Sequence, residues 1–260
     1  MHKLALVSLL LLLSTFVFAQ DSKEVPDLVT DRPDLTESSS VVPLKSLQFE
    51  AGFTFASSDE DNVKVNEIGY VDALLRYGLM ERMELRLGIG FAGVDTDNGG
   101  AVGSESLKGV TPVRPGIKIS IADEKGWMPE LALLSHLYIP FKNSEITQSN
   151  ISPDIILAAS HTLSSRISLG YNLGVVWFGD ELHPNGTYSI AAGIGVSEKI
   201  GAFVETFGRF NSDIFTNTID GGFTFLVLHN LQLDVSGGLG LTDSAADYYV
   251  GAGISFRLPR

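Results

Sequence analysis

The chain has 260 residues, 31 acidic against 18 basic side chains, a formal net charge of −13 at pH 7 and no cysteine. This charge argues against a nucleic-acid partner, which needs a basic surface. The lack of cysteine excludes disulfides and a zinc site built on thiolates. A hydrophobic content of 44% combined with 27 glycines favours sheet over helix.

The first 19 residues have the features of an export signal. Lys3 supplies a positive start, residues 4–17 form an apolar segment, and Val17-Phe18-Ala19 fits a cleavage site. The apolar segment is shorter than a helix that spans a bilayer. This favours a cleaved signal peptide at residues 1–19 over an uncleaved membrane anchor, with Gln20 as the first mature residue.

Residues 20–46 are polar and contain Pro26, Pro33 and Pro43. Proline fixes its own φ and disfavours a helical conformation in the residue before it. We therefore expect an extended segment at the periplasmic side or entering the lumen, called the lead segment below. Residues 47–260 show no change of composition that would mark a further domain, and we interpret them as one β-barrel.

The first candidate strand, LQFEAGFTFA at residues 47–56, alternates apolar and polar side chains. Successive side chains of a strand point to opposite sides of the sheet, so this pattern gives one apolar and one polar face. The same criterion predicts twelve strands, at roughly 47–56, 65–78, 82–92, 109–120, 129–140, 153–163, 166–178, 186–197, 201–211, 217–228, 230–242 and 247–258.

Alternation alone fits two classes of barrel. A soluble barrel turns its apolar face inward, whereas an outer-membrane barrel turns that face toward lipid and keeps a polar interior. The predicted polar faces combine glycine with full charges. The apolar faces carry almost no charge, with Glu67 and His161 as the main exceptions.

The connections favour the membrane class. Short turns follow predicted strands 2, 6, 8 and 10, a slightly longer one follows strand 4, and the connections after strands 1, 3, 5, 7, 9 and 11 are mostly longer. Outer-membrane barrels alternate short periplasmic turns with longer external loops. We therefore predict an all-β fold, a single-chain transmembrane antiparallel β-barrel of about 12 strands, with both chain ends in the periplasm.

Aromatic residues agree with this orientation. Five lie near the outer rim of the predicted lipid face and three near the inner rim: Phe91, Trp177, Tyr188, Phe210 and Tyr248, then Tyr77, Phe225 and Phe256. Two aromatic girdles are expected at the membrane interfaces. The ordinary preference of aromatic residues for strands is the alternative explanation.

The strand phase gives a set of candidate lumen-lining residues. They are Glu50, Asp72, Arg76, Glu84, Arg86, Arg114, Lys118, Glu130, His136, Glu205, Arg209, Asp234 and Arg257, with Asp154 and Asp220 on the same face. Charges in a narrow lumen cost solvation energy unless they are paired or hydrated. A mutually compensated network is therefore one interpretation, and a filter that selects solutes is the other. Twelve strands predict a narrow or plugged passage.

The sharpest local motif lies in the lead segment. Its residues are Asp31, Arg32, Pro33, Asp34, Thr36 and Glu37. Guanidinium groups pair well with carboxylates, so we expect this motif to enter the periplasmic mouth and pair with inward charges. The motif could gate the passage or serve only as a strap that closes the barrel, and the sequence leaves both open.

Residues 30–50, TDRPDLTESSSVVPLKSLQFE, carry this motif, a proline and the first strand; LRYGL at 75–79, NLQLD at 230–234 and GAGISFR at 251–257 add weaker matches. On these residues the chain resembles a bacterial outer-membrane family named after the meta-pathway of phenol degradation. The resemblance spans nearly the whole mature chain. It implies an outer-membrane barrel often labelled a transporter and identifies no substrate. IPFK at 139–142 departs from the family's common Leu-Pro-Thr-Gly. Lys142 stands where the family has glycine, so no loop role of that glycine is carried over to this chain.

The remaining acidic residues concentrate in predicted loops, among them Asp59, Asp95, Asp97, Asp243 and Asp247. Surface carboxylates suit divalent cations, but the stretch from Asp95 lacks the glutamate that completes a calcium loop. We therefore predict solvated loops and no metal site.

The sequence shows no assembled catalytic group. Catalysis by a hydrolase needs a nucleophile, a base and an orienting group together. Ser135-His136 and Ser160-His161 are adjacent in sequence, so their side chains would point to opposite faces of a strand. No Gly-x-Ser-x-Gly or His-Glu-x-x-His motif is present. We predict no enzyme activity and no cofactor.

These features predict a transporter or channel in the bacterial outer membrane for a small solute, with hydrophobic or aromatic solutes as candidates. The alternative is a structural or surface-interaction barrel with acidic loops and no transport role. The predicted partners are outer-membrane lipid and a small-molecule solute, and the sequence does not indicate an oligomeric state.

Overall fold

The computed structural model describes residues 26–60, 63–97, 104–146, 148–179 and 183–258, so the predicted signal peptide lies outside the described residues. Within these ranges no helix is long and apolar enough to cross a membrane. The strands are β1 Leu47–Glu60, β2 Val63–Met80, β3 Met83–Asp97, β4 Glu105–Val110, β5 Arg114–Ala122, β6 Glu130–Tyr138, β7 Ser152–Thr162, β8 Ile167–Val176, β9 Asn185–Gly195, β10 Ile200–Phe210, β11 Thr218–Leu228, β12 Leu231–Gly240 and β13 Tyr248–Leu258.

The strands form one antiparallel sheet that closes on itself. β1 pairs with β2 on one side and with β13 on the other, where Phe49 lies opposite Phe256. β4 and β5 both pair with β3, at residues 91–96 and 83–88 respectively, so they share one position in the ring. The barrel therefore has twelve strand positions, and the predicted fold class is confirmed.

The fourth predicted strand, residues 109–120, is interrupted rather than continuous. It divides into β4 and β5 around Pro112, which has no N–H to donate to a ladder. On either side, Thr111 N donates to Gly90 O and Val113 N donates to Ile139 O, both at 2.9 Å. The chain thus stays in the barrel wall while the regular ladder breaks.

Three neighbouring strands are longer than predicted. β1, β2 and β3 have 14, 18 and 15 residues, whereas β5 to β13 have 9 to 11. The predicted longer loop after strand 1 is therefore wrong, and Asp59, Asp95 and Asp97 lie on strands. Polar pairs occupy this extension, including Ser57 Oγ and Asn66 Oδ1 at 2.9 Å. The alternation of apolar and polar residues does not predict this extension, because backbone hydrogen bonds between the strands form whatever the side chains are.

A β-bulge explains one charge that simple alternation assigns to the wrong face. Around Tyr70, the pairing of β2 with both neighbouring strands skips a residue. A one-residue shift moves every following side chain to the other face. Glu67, which alternation assigns to the apolar face, therefore lines the interior cavity described below.

The two faces of the wall differ sharply. Leu87, Leu133 and Leu233 point outward with 45%, 39% and 43% of their surface exposed, whereas Arg86 and Asp234 are buried inside. Apolar surface left in water costs about 25 cal/mol per Å². An outer wall of this kind fits hydrocarbon, so the sheet is a transmembrane barrel with a polar interior.

The connections separate the two ends of the barrel. Residues 81–82, 123–129, 163–166, 196–199 and 229–230 connect strands at the end where β1 begins. At the other end the connections are residues 98–104, 139–151, 177–184, 211–217 and 241–247, with only 61–62 between β1 and β2. Apart from that hairpin and from residues 123–129, which equal three of the loops in length, the alternation of shorter turns and longer loops agrees with the prediction.

Candidate functional site inside the barrel

The lead segment, described from residue 26 onward, lies inside the barrel. Its backbone N–H groups donate to carboxylates on strands that are far apart in the wall: Leu35 N to Glu205 on β10 at 2.8 Å, and Val42 N to Glu84 on β3 at 2.7 Å. Buried backbone donors need partners because leaving them unpaired is costly. Inward carboxylates supply these partners here, so the segment crosses the lumen.

Asp31 is the centre of the contacts between the lead segment and the wall. Its carboxylate lies 3.0 Å from Arg76 Nη1, 2.7 Å from Arg86 Nη1 and 3.0 Å from Lys118 Nζ, and it also accepts from Ser38 Oγ at 2.6 Å. Burial alone would raise the pKa of the Asp31 carboxyl, but the three cations outweigh burial and hold this pKa well below its usual range.

Three further carboxylates complete this group, which we call the cation cluster (Asp31, Glu37, Glu50 and Glu84 with Arg76, Arg86 and Lys118). Glu37 binds Arg86 Nη2 with both oxygens at 2.9 Å. Arg76 binds Glu50 at 3.0 Å and Glu84 at 2.9 Å. Four carboxylates thus surround three cations. Buried charges are tolerated only when they are paired and hydrogen-bonded, and this cluster meets that condition.

Arg32 extends in another direction and binds Asp234 on β12 at 3.0 Å. Its guanidinium lies against Gly52 and Gly253, which are paired across β1 and β13. A Cβ on either glycine would overlap the guanidinium. Glycine is therefore required at both positions for this close approach.

Asp34 has the opposite environment from Asp31. Burial and the neighbouring Glu205 carboxylate raise the pKa of Asp34 well above its usual range. Glu205 itself accepts from Thr36 Oγ1, and the same hydroxyl lies 2.7 Å from Ser189 Oγ. The motif therefore has one aspartate among cations and one beside another carboxylate.

A second polar chain runs from the cation cluster toward the long loops. Arg86 Nε lies 2.9 Å from His136 Nε2, His136 Nδ1 lies 3.0 Å from Asp154, and Tyr138 donates its hydroxyl to Asp154 at 3.0 Å. These side chains come from β3, β6 and β7. They join the buried cluster to the open part of the lumen.

A cavity of about 1160 Å³ lies between the lead segment and the long loops. Its floor includes Leu35, which is 59% exposed, and its wall includes Phe207 and Tyr249 with ring centroids 6.4 Å apart. Arg114 and Arg209 also line it; Arg114 binds Asp72, and Arg209 packs over Phe178. The cavity thus combines apolar, aromatic and charged walls.

Sequence comparison identifies the family. The profile described as "Putative MetA-pathway of phenol degradation" matches residues 30–258. The chain belongs to this family. The resemblance inferred from the opening motif is therefore confirmed. Comparison with curated proteins gave no match.

Solved structures of other proteins have the same barrel fold as this chain. An outer-membrane channel from Pseudomonas putida F1 aligns with a TM-score of 0.63 and 11% identity, over 84% of this chain and 97% of that chain. The beta domain of the Bordetella autotransporter BrkA aligns with a TM-score of 0.52 and 11% identity, over 82% of this chain and 100% of that domain. At these identities the similarity shows the fold alone.

The structure divides the predicted lumen residues of the family member into two groups. Those in contact with the lead segment or the cation cluster are Glu50, Arg76, Glu84, Arg86, Lys118, Glu130, His136, Glu205, Asp234 and Arg257. Asp72, Arg114 and Arg209 instead line the cavity wall nearer the long loops. A functional role for either group is a proposal.

Sequence reasoning missed the neutral side chains that bind the start of the lead segment. Gln48 Nε2 donates to Val29 O at 2.7 Å, and Gln232 Nε2 donates to Thr30 Oγ1 at 2.9 Å. Both glutamines lie on the polar faces of their strands. That parity was the available signal, but the candidate set considered only titratable residues.

In the described part of the chain, no group of three metal-ligating side chains is arranged to hold a metal ion.

Proposed function

We propose that this protein is an outer-membrane channel or transporter that admits a small hydrophobic or aromatic solute to the cavity above the lead segment. The observation that carries this proposal is Leu35, which is largely exposed on the floor of a lumen that is otherwise mostly polar. Leu74, Ile156 and Phe207 add apolar surface to the wall. Ligand sites typically combine such surface with a few polar groups in volumes of ~300–1000 Å³, and this cavity, at about 1160 Å³, is slightly larger.

The cellular location follows from the outer face of the barrel. An apolar belt around a closed antiparallel barrel with a polar lumen is the arrangement of outer-membrane proteins. With the signal peptide predicted at residues 1–19, this supports export and insertion into a bacterial outer membrane, where lipid contacts the wall. The proposal involves passage or binding of a solute and no chemical step.

The lead segment is the proposed gate. It crosses the lumen and is held by the cation cluster, so a solute that leaves the cavity toward the periplasm must pass it. Deleting residues 21–40 should raise single-channel conductance in planar bilayers while the barrel stays folded. Unchanged conductance in a folded barrel would mean that the segment only closes the structure.

Solute uptake into proteoliposomes tests the proposal directly. Swelling should be faster than in protein-free liposomes for small neutral solutes with apolar character, and slower for sugars and for solutes too large for the cavity. Protein-free liposomes correct for passive permeation. Equal rates for every solute, with or without protein, would refute transport.

One observation favours the second function, a surface-interaction barrel. The extended part of β1, β2 and β3 carries acidic residues, including Asp59, Asp95 and Asp97, beyond the length of the other strands. Binding of a cationic surface partner that disappears when these residues are replaced, in the absence of any solute uptake, would support that function instead.

A further inference from the structure

Two tyrosines line opposite parts of the cavity, and each bonds to a buried aspartate. Tyr138 on β6 donates its hydroxyl to Asp154 on β7 at 3.0 Å, and Tyr249 on β13 donates to Asp220 on β11. Asp154 and Asp220 are 2% and 5% exposed. The two pairs come from separate strands but have the same chemistry.

An ionised carboxylate can only accept hydrogen bonds, so each tyrosine hydroxyl must use its hydrogen for the aspartate. The phenol oxygen then has only acceptor capacity left for the cavity. Both oxygens therefore favour a solute that donates a hydrogen bond.

The charges of the cavity act in the same direction. Carboxylates outnumber guanidinium groups ten to four among the lining residues. Three of those guanidinium groups, on Arg32, Arg86 and Arg114, already bind carboxylates. An anionic solute would enter a field of its own sign, and like charges in a low-dielectric space repel strongly.

Apolar groups beside Tyr249 define where a ring would lie. Phe207 packs edge-on against Tyr249 at 6.4 Å between centroids, and both line the same cavity as exposed Leu35. Aromatic rings prefer such edge-to-face and offset contacts. A small aromatic ring that packs on Phe207 therefore lies beside Tyr249, with its substituent within reach of the tyrosine oxygen.

We propose that Tyr138 and Tyr249 are specificity-determining residues that favour a small aromatic ring bearing a hydroxyl or amine donor over the same ring with a carboxylate or a donor-free substituent. The inference rests on the proposed function and deepens it. Asp154 and Asp220 are positioning residues, because they fix which way each tyrosine hydroxyl points.

Ligand-observed NMR on the purified full chain in micelles tests this with three matched probes, phenol, anisole and benzoate. Anisole keeps the ring and oxygen of phenol but lacks the donor. Protein-free micelles give the blank. Phenol should bind about three- to tenfold more tightly than anisole, the range expected for one net hydrogen bond, and benzoate more weakly than both.

Variants assign the preference to the tyrosines. The double variant Tyr138→Phe/Tyr249→Phe should lower the ratio of phenol to anisole affinity, and at least one single variant should lower it in part. Tyr171→Phe makes the same chemical change outside the cavity and should keep it. Asp220→Asn can donate to the Tyr249 oxygen and free its hydrogen, so anisole should gain while phenol loses; a purely structural role would weaken both.

The outcomes separate the two proposals. Equal binding of phenol and anisole by the natural chain, or an unchanged ratio in a folded double variant, overturns donor selection while leaving the cavity a solute site. Failure of both neutral probes to bind overturns the proposed function as well. If the double variant does not fold, the two single variants decide the question in the same way.

Discussion

Replacing Asp31 with asparagine should release the lead segment without unfolding the barrel. The carboxylate of Asp31 touches Arg76, Arg86 and Lys118 within 3.0 Å, and its side chain is 4% exposed. Asparagine has nearly the same shape, but its amide carries no charge and replaces one acceptor oxygen with a donor nitrogen. The substitution therefore removes the attraction at the centre of the cluster with little change in volume.

The expected cost follows from the charge balance of the cation cluster. Removing one partner of a buried ion pair usually costs ~3–5 kcal/mol, because the other charge is left without compensation. Here four carboxylates surround three cations, so three carboxylates still face three cations after the substitution. We therefore expect the lower end, about 3 kcal/mol, which is roughly a 100-fold shift toward the undocked segment.

Thiol labelling measures this shift. The chain has no cysteine, so Val42→Cys introduces a single reporter at a position in the lead segment that is 2% exposed. A buried thiol reacts only when the segment opens, and the rate then follows the open fraction if reclosing is fast. Labelling by a charged maleimide should accelerate about 100-fold in the Asp31→Asn background.

Asp34→Asn is the matched control, since it makes the same change three residues away. Asp34 lies beside Glu205, and its carboxyl has a raised pKa, so removing its charge should slow labelling at neutral pH. If Asp31→Asn labels at the rate of the parent while heat-modifiable mobility shows a folded barrel, the cation cluster does not hold the segment and the reasoning is wrong.

Three other predictions use the same preparations. Labelling of Val42→Cys, divided by its rate in the Asp34→Asn background at the same pH to remove the pH dependence of the thiol itself, should accelerate as pH rises from the ordinary carboxyl range to the raised pKa of Asp34. A carboxyl that gains a proton on docking stabilises the docked state at low pH, and this contribution is lost over that range; a constant ratio would contradict the prediction. Leu133→Arg on the lipid face should lower the free energy of unfolding in urea by about 2–4 kcal/mol. The control Trp127→Arg lies in a turn, where Trp127 is 89% exposed, and should change this free energy by less than about 0.5 kcal/mol. Equal losses in the two variants would contradict the assigned orientation. Gly253→Ala should displace Arg32 and speed labelling, and no change would show that Arg32 yields without cost.

The fold was predictable because its strongest signals are local. A side-chain period of two depends only on neighbouring residues, so stretches such as 83–91 and 231–241 fixed both the number of strands and their inward faces. The predictions failed where the pairing between strands does not follow the local side-chain pattern. The bulge at Tyr70 and the extension around Ser57 depend on what the adjacent strands do, and one chain segment does not reveal that.

The site was less predictable because it depends on contacts between distant parts of the chain. Parity placed Arg86 and Lys118 inside, and the motif suggested pairing with inward charges, but the sequence did not show that these two cations would meet at Asp31. Glycine positions held part of the answer. Gly52 and Gly253 leave room for Arg32 on inward faces, although glycine on a polar strand face has no single meaning without the partner strand.

The width of the barrel explains why the lumen has room for the lead segment. Eight strands leave an interior that side chains can fill, and larger barrels leave open space. Here the lead segment occupies part of that space, and its polar groups pair with charges that the walls carry. An incomplete set of buried charges is costly, so the cation cluster stabilises the fold only when Asp31 and Glu37 are docked.

This dependence makes the two ends of the motif unequal. The Asp31 carboxylate stays ionised among three cations. If Asp31 undocks, the carboxylate and the cations of the wall are both left without their partners. At Asp34 the carboxyl faces Glu205, and ionisation there favours departure. If the segment moves to let a solute pass, it should therefore separate first from β9 and β10 and stay attached at β2, β3 and β5. The cavity lies on the side where Leu35 would move away, so opening would enlarge the solute site before breaking the cation cluster.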